Sequence, residues 1–275
     1  MSSPAAQVRL YLGERDAESG EHSLPQGQVC VRSLRAPDKH TPNEDAAAVI
    51  QMGDGSLVLA VADGVGGTPA GREASNATVQ TLSRVLGKLP VDTPQLRPAI
   101  LDAVEEANKS VLKLARGAAT TVVIAELDAN RLRSYHVGDS ELVAVGQRGR
   151  IKHRVVPHSP TGFAVEAGLL DEDEAVQHDQ RHVLFNVVGS PDMRVEVGPS
   201  LQLAVHDTVL LASDGLFDNL FIDEIIETIC SGPLGDAADR LVERVRVRMS
   251  GEGAADQPCK PDDLTVVLFR GKNKK

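Results

Sequence analysis

Short apolar runs that end or begin in acids punctuate this chain. Leu57 to Ala62 is uninterrupted apolar sequence followed by Asp63 and a glycine-rich turn, Gly64, Gly66 and Gly67. The run is too short to cross a membrane and has the length of a buried strand bounded by turn residues. Val209 to Ala212 repeats the design, with Ser213, Asp214 and Gly215 after it. So does Tyr135 to Val137, which leads into Gly138, Asp139 and Ser140. Two sites mirror the arrangement at strand starts: Asp262 and Asp263 precede Leu264 to Phe269, and Glu44 and Asp45 precede Ala46 to Ile50.

The remaining periodicities fill in the elements. Strands are predicted at Gln7 to Leu12, Gln28 to Leu34, Ala46 to Gln51, Thr120 to Leu127, Arg131 to Val137, Glu141 to Gly146, Arg150 to Val156, Val195 to Leu203 and Thr208 to Ala212. Gly53-Asp54-Gly55 between two apolar runs is a hairpin signal. Glu14 to Gln26 is polar, holds Gly20 and Pro25, and is expected as a loop. Helical spacing of small and apolar residues runs over Ala70 to Leu86, stopped at Gly87, and over Thr93 to Ala115, with Pro98 in the first turn. Ile222 to Cys230 and Ala237 to Met249 complete the helices, Gly251 to Pro261 is a loop, and Gly271 to Lys275 a basic tail. Residues 157–195 are polar and long for a connector, with short helices expected at Phe163 to Ala167 and Asp171 to Val176. They are expected to form a flap at about 157–190.

Strands, two helices, a run of strands, then helices and a last strand predict an α+β fold. The expected form is a four-layer α-β-β-α sandwich of two mainly antiparallel sheets flanked by helices. One main domain is expected over 27–271, preceded by an N-terminal segment 1–26 whose Gln7 to Leu12 adds a strand.

Composition narrows the partners. Aromatic residues make up only 3% of the 275 residues, with no Trp, so the core must be built of Leu, Val, Ile and Ala. The net charge of -10 argues against a nucleic-acid or anionic-membrane partner. Cys30, Cys230 and Cys259 are odd in number and form no C-x-x-C pair, which fits a reduced, cytoplasmic setting. The N-terminal residues hold no basic region followed by a long apolar stretch, so neither signal peptide nor transmembrane helix is expected.

An Asp-Gly after a strand is by itself most often a turn. Five acidic sites at strand ends, brought to one place, would repel one another unless a cation neutralised them. Carboxylates beside an accessible backbone carbonyl are oxygen donors of the kind Mg²⁺ and Mn²⁺ prefer. The pattern therefore predicts a divalent, two-metal centre.

The ordered motifs NEDA (Asn43 to Ala46), VADGVGG (Val61 to Gly67), ATT (Ala119 to Thr121), VGDS (Val137 to Ser140), SDGLFDN (Ser213 to Asn219) and PDDLTVV (Pro261 to Val267) resemble those of type 2C metal-dependent protein phosphatases, bacterial members above all. The resemblance spans about residues 28–270. It implies phosphoserine and phosphothreonine hydrolysis by attack of a water bridging two divalent metals, with two or three Mg²⁺ or Mn²⁺ ions bound. By this resemblance Asp63 bridges two metals, the Gly64 carbonyl binds the second, and Asp214 and Asp262 complete the first. Asp139 with Asp214 holds a third, and Glu44 and Asp45 act on metal-bound water from behind the ligands. His158, at the flap entrance, is a candidate proton donor to the leaving alkoxide, although a lone loop His is more often a surface residue. Phosphorylated proteins made by a Ser/Thr kinase would be the substrates of a bacterial signalling enzyme, a cytoplasmic monomer.

The chain also departs from the family. The arginine that usually grips the substrate phosphate, five residues before the Asp of the E-D pair, is His40, beside Lys39, and neither offers a bidentate fork. Arg35, just upstream, is the other candidate phosphate ligand. The usual Asn after the last metal ligand is Asp263, and Val65 stands where His or Met is common. Two other readings stay open: a phosphatase-like binding module with little turnover, and a hydrolase of small phosphoesters.

Overall fold

The computed structural model describes residues 6–65, 70–90, 96–114, 117–254 and 257–272. Gly66 and Gly67, the predicted helix start at Thr93, its end at Ala115, and Asn273 to Lys275 lie outside the described residues.

One sheet is built of β1 (Gln7–Tyr11), β4 (Asp45–Gln51), β5 (Leu57–Asp63), β6 (Val122–Asp128), β7 (Arg131–Val137) and β10 (Glu196–Val197), in that order, with β11 (Leu201–Gln202) also on β7. The other runs β2 (Ala17–Ser23), β3 (Gly27–Leu34), β13 (Leu264–Gly271), β12 (Thr208–Ala212), β8 (Glu141–Val145) and β9 (Ile151–Arg154). Every pairing between these strands is antiparallel.

The two sheets face each other. Ala47, Val49, Leu57, Leu59 and Val61 of the first meet Val209, Leu211, Val267 and Phe269 of the second in a core between the sheets. The alternate residues Ala46, Ala48, Val58, Ala60 and Ala62 point the other way. They pack beneath α1 (Gly71–Leu86) and α2 (Leu96–Leu114) through residues such as Leu82 and Ile100. On the far side Leu210, Ala212, Val266 and Leu268 pack against α5 (Asp214–Phe217), α6 (Ile222–Ile229) and α7 (Leu234–Met249). Because central strands are covered on both faces, they are continuously apolar rather than alternating. This is the four-layer sandwich that the order of elements predicts.

Three expectations are corrected. Glu14 to Gln26 is not all loop: β2 pairs with β3 over its whole length. Its alternating exposure marks an edge strand with one solvated face, and its polar residues hide it from an apolar-run criterion. The predicted strand Val195 to Leu203 forms only the two-residue β10 and β11. α7 starts at Leu234 rather than Ala237. Within 157–190, α3 (Pro160–Glu166) and α4 (Glu172–Val176) are the short helices, α3 beginning where the Ser159 hydroxyl accepts from the Gly162 amide at 3.0 Å.

Candidate metal centre and active site

The acidic sites converge at one end of the sandwich. β4 and β5 pair in a register that sets Asp45 directly opposite Asp63. The Thr-Thr of ATT fastens Asp63. Its amide donates to Thr121 Oγ1 at 3.1 Å, and its carbonyl accepts from the Thr121 amide at 2.8 Å and from Thr120 Oγ1 at 2.6 Å. Thr121 in turn bonds Ser140 of VGDS, hydroxyl to hydroxyl at 2.6 Å. Gly138 turns that loop with φ +101°, and a Cβ there would lie 2.6 Å from Thr121 Cγ2, so only glycine fits. Across the interface Ser213 Oγ donates to Asp45 Oδ2 at 2.8 Å and accepts the Thr265 amide at 3.0 Å, tying the two sheets at the site. A Cβ on Gly215 would sit 2.0 Å from the Asp263 carbonyl oxygen, so this glycine lets α5 close on the strand that carries Asp262 and Asp263.

The electrostatics show how crowded these carboxylates are. Burial pushes Asp63 well above the usual carboxylate range, and the charges of Asp45, Asp214, Asp262 and Asp139 push it further. Asp139 is raised by burial, then by Asp214 and Asp218, and Asp45 by burial, then by Asp263. Burial and then Asp214 push Asp218 and Asp262 up to about 6. On the side of Asp214, Asp218 and Asp262 the counter-charge is the Lys260 ammonium. Its Nζ lies 2.6 Å from Asp214 Oδ2, 2.6 Å from Asp218 Oδ2 and 3.0 Å from Asp262 Oδ2.

Two carboxylate oxygens are left over. Asp214 Oδ1 and Asp45 Oδ1 are buried with no hydrogen-bond partner. A buried anionic oxygen without a donor is an open position for a cation. With Asp63, Asp139, Asp262 and the Gly64 carbonyl nearby in the fold, the donors are all oxygen, which fits Mg²⁺ or Mn²⁺.

Of the sequence-predicted phosphate ligands, two are already engaged by carboxylates and one is exposed. Lys39 does not stand free: its Nζ bonds Glu44 Oε2 at 2.7 Å and Asp263 Oδ2 at 2.5 Å. Asp263 also accepts from the Ala36 amide at 2.8 Å and the Glu44 amide at 2.7 Å, so it pins the loop that carries Lys39. Arg35 is drawn away to Asp16, 3.2 Å distant. His40 is exposed.

His158 is likewise not at the surface. It is 5% exposed, and its ring stacks on His136 with centroids 4.3 Å apart. Nδ1 accepts the Gly138 amide at 3.0 Å, which puts the proton of the neutral ring on Nε2, 3.3 Å from Glu196 Oε2. His136, His158 and Glu196 bring potential ligand atoms within 4.8 Å of one another. That tautomer leaves His158 no lone pair for a metal, and its contacts fasten the start of segment 157–190 to the VGDS turn.

Sequence reasoning missed Arg181. A cleft of about 320 Å³ opens from Asp139, Asp214 and Asp218 and runs past Phe217 beneath the flap residues Val165 and Val176. Arg181 lines it, with Nε 3.7 Å from Asp218 Oδ2 and without a hydrogen bond. The signal was present: Arg181 is the only Lys or Arg between residues 157 and 190.

Comparison with known proteins agrees with this geometry. Residues 35–253 match the family model for protein phosphatase 2C. The chain belongs to that family. Protein phosphatase PhpP of Streptococcus pneumoniae is 29% identical over 215 residues, covering 74% of this chain and 85% of that protein. The Mycobacterium tuberculosis serine/threonine phosphatase PstP/Ppp superposes with a TM-score of 0.72 at 25% identity, covering 89% of this chain and 98% of that one. The PstP catalytic domain has also been solved with 2 manganese ions; it matches at a TM-score of 0.71 and 24% identity, over 89% of this chain and 98% of that one.

Proposed function

We propose that this chain is a Mg²⁺- or Mn²⁺-dependent phosphoprotein phosphatase acting on phosphoserine and phosphothreonine. The observation that carries the reading is Asp214 Oδ1, buried without a partner inside a ring of mutually repelling carboxylates. Asp63, Asp139, Asp214, Asp262 and the Gly64 carbonyl hold the ions. Divalent ions there supply a water of lowered pKa and positive charge facing the phosphoryl oxygens. Glu44 and Asp45 orient from behind: Asp45 is fixed by Ser213, and Glu44 by Lys39. Arg181 faces the cleft from the flap and takes over the phosphate-gripping role that His40 does not supply. The substrates are phosphoproteins produced by a Ser/Thr kinase, met in the cytoplasm by a monomeric enzyme in bacterial signalling. The free cysteines support a reducing compartment.

Hydrolysis of a phosphothreonine peptide, with and without Mn²⁺, tests this. Turnover should require Mn²⁺ and fall at least 100-fold in Asp214→Asn. Wild-type protein that binds Mn²⁺ but releases no phosphate would leave the binding-module reading in its place. Turnover of an aryl phosphate without turnover of the peptide would favour a hydrolase of small phosphoesters.

A further inference from the structure

Lys260 is placed with more care than a surface lysine needs. Asn219, which is fully buried, brackets it: the Asn219 side-chain amide donates to the Lys260 carbonyl at 2.9 Å, and Asn219 Oδ1 accepts the Lys260 amide at 2.9 Å. Asn219 also donates to the Gly215 carbonyl at 2.9 Å, so the same side chain ties Lys260 to α5. Pro261 follows and stiffens the exit. The ammonium is thereby held among Asp214, Asp218 and Asp262 with the side chain 24% exposed. Asp214 is divided between two tasks: Oδ2 meets Lys260, and Oδ1 is left for another cation.

We propose that the Lys260 ammonium stands in for a third divalent ion, so that this chain completes its centre with two. The proposal rests on the phosphatase reading above, in which Asp139 and Asp214 are the residues a third ion would share. Charge supports it. The Lys260 ammonium already supplies a positive charge to the three carboxylates it touches, Asp214, Asp218 and Asp262. A third divalent ion shared by Asp139 and Asp214 would face an ammonium already bound to one of its ligands. A tethered cation also needs no free metal to fill its place, and its geometry is set by the Asn219 bracket.

The test is a count of bound metal. Mn²⁺ per chain is measured by calorimetric titration and by elemental analysis after dialysis against excess Mn²⁺, for the whole protein. Wild type is expected to hold two ions. Lys260→Met and Lys260→Gln should each hold three, and Lys260→Arg, which keeps the charge, should stay at two. A wild-type count of three overturns the proposal without any variant. So does a count that stays at two in both neutral variants, or one that rises to three in Lys260→Arg. A wild-type count of zero sinks the phosphatase reading itself, a result separate from either of these.

Discussion

Asp263, which stands where the family usually has Asn, is answered by Lys39. Asp263 is 3% exposed, and both its oxygens already accept backbone amides before Lys39 adds a third donor. Removing Lys39 leaves Asp263 and Glu44 facing each other without a counter-charge. Lys39→Met should therefore lower stability by about 2 kcal/mol in urea denaturation, a discount on the value for fully buried pairs because Lys39 is partly exposed. The same variant should change KM for a phosphopeptide by less than threefold, whereas Arg181→Ala should raise it about tenfold, the size of one lost charge-assisted contact. Steady-state kinetics on the two variants separates the loop lysine from the flap arginine. At this scale the sequence was legible where a motif carried the residue. The acids of VADG, VGDS, SDG and PDD announced themselves at strand ends. Lys260 and Arg181 did not, because their significance lies in neighbours distant in sequence: Asp214 and Asp218 lie far before Lys260 and after Arg181.

Elements were legible in proportion to their burial. β4, β5, β12 and β13 are covered on both faces, so they stand out as apolar runs. β2 lies at an edge and meets the core at only every second, polar position, so nothing apolar marks it. The flap gave its two short helices but not its anchoring. His158 looked like an isolated loop histidine, yet it clasps the Gly138 amide and the Phe185 amide donates to its carbonyl at 2.9 Å. As an anchor, His158→Ala should lower the melting temperature and reduce kcat by less than tenfold. The alkaline limb of the pH–rate profile should keep its midpoint. A loss of 100-fold or more together with a moved alkaline limb would restore His158 as the proton donor.

For the whole molecule, the acidic cluster links stability to pH and to metal. Asp218 and Asp262, near 6 in the fold, are raised above their ordinary value. Between about 4 and 6 the folded, metal-free chain holds protons that the unfolded chain has released, so it loses stability from these groups as pH rises through that window. Bound Mn²⁺ favours the ionised forms and cancels the penalty. The rise in melting temperature on adding saturating Mn²⁺ should thus be larger at pH 7.5 than at pH 5, by scanning calorimetry. An increment that does not change with pH would mean that bound metal does not act on these carboxylates.

The position of β13 has a consequence in time. This strand is the last element described, yet it lies inside its sheet, between β3 and β12, and the acids that flank its start belong to the site. A chain still emerging from the ribosome has every earlier motif available but a gap where Leu264–Gly271 must insert. Asp262, Asp263 and the Asn219 bracket on Lys260 arrive only with that strand. The site described here is therefore complete only once the chain has been made through β13.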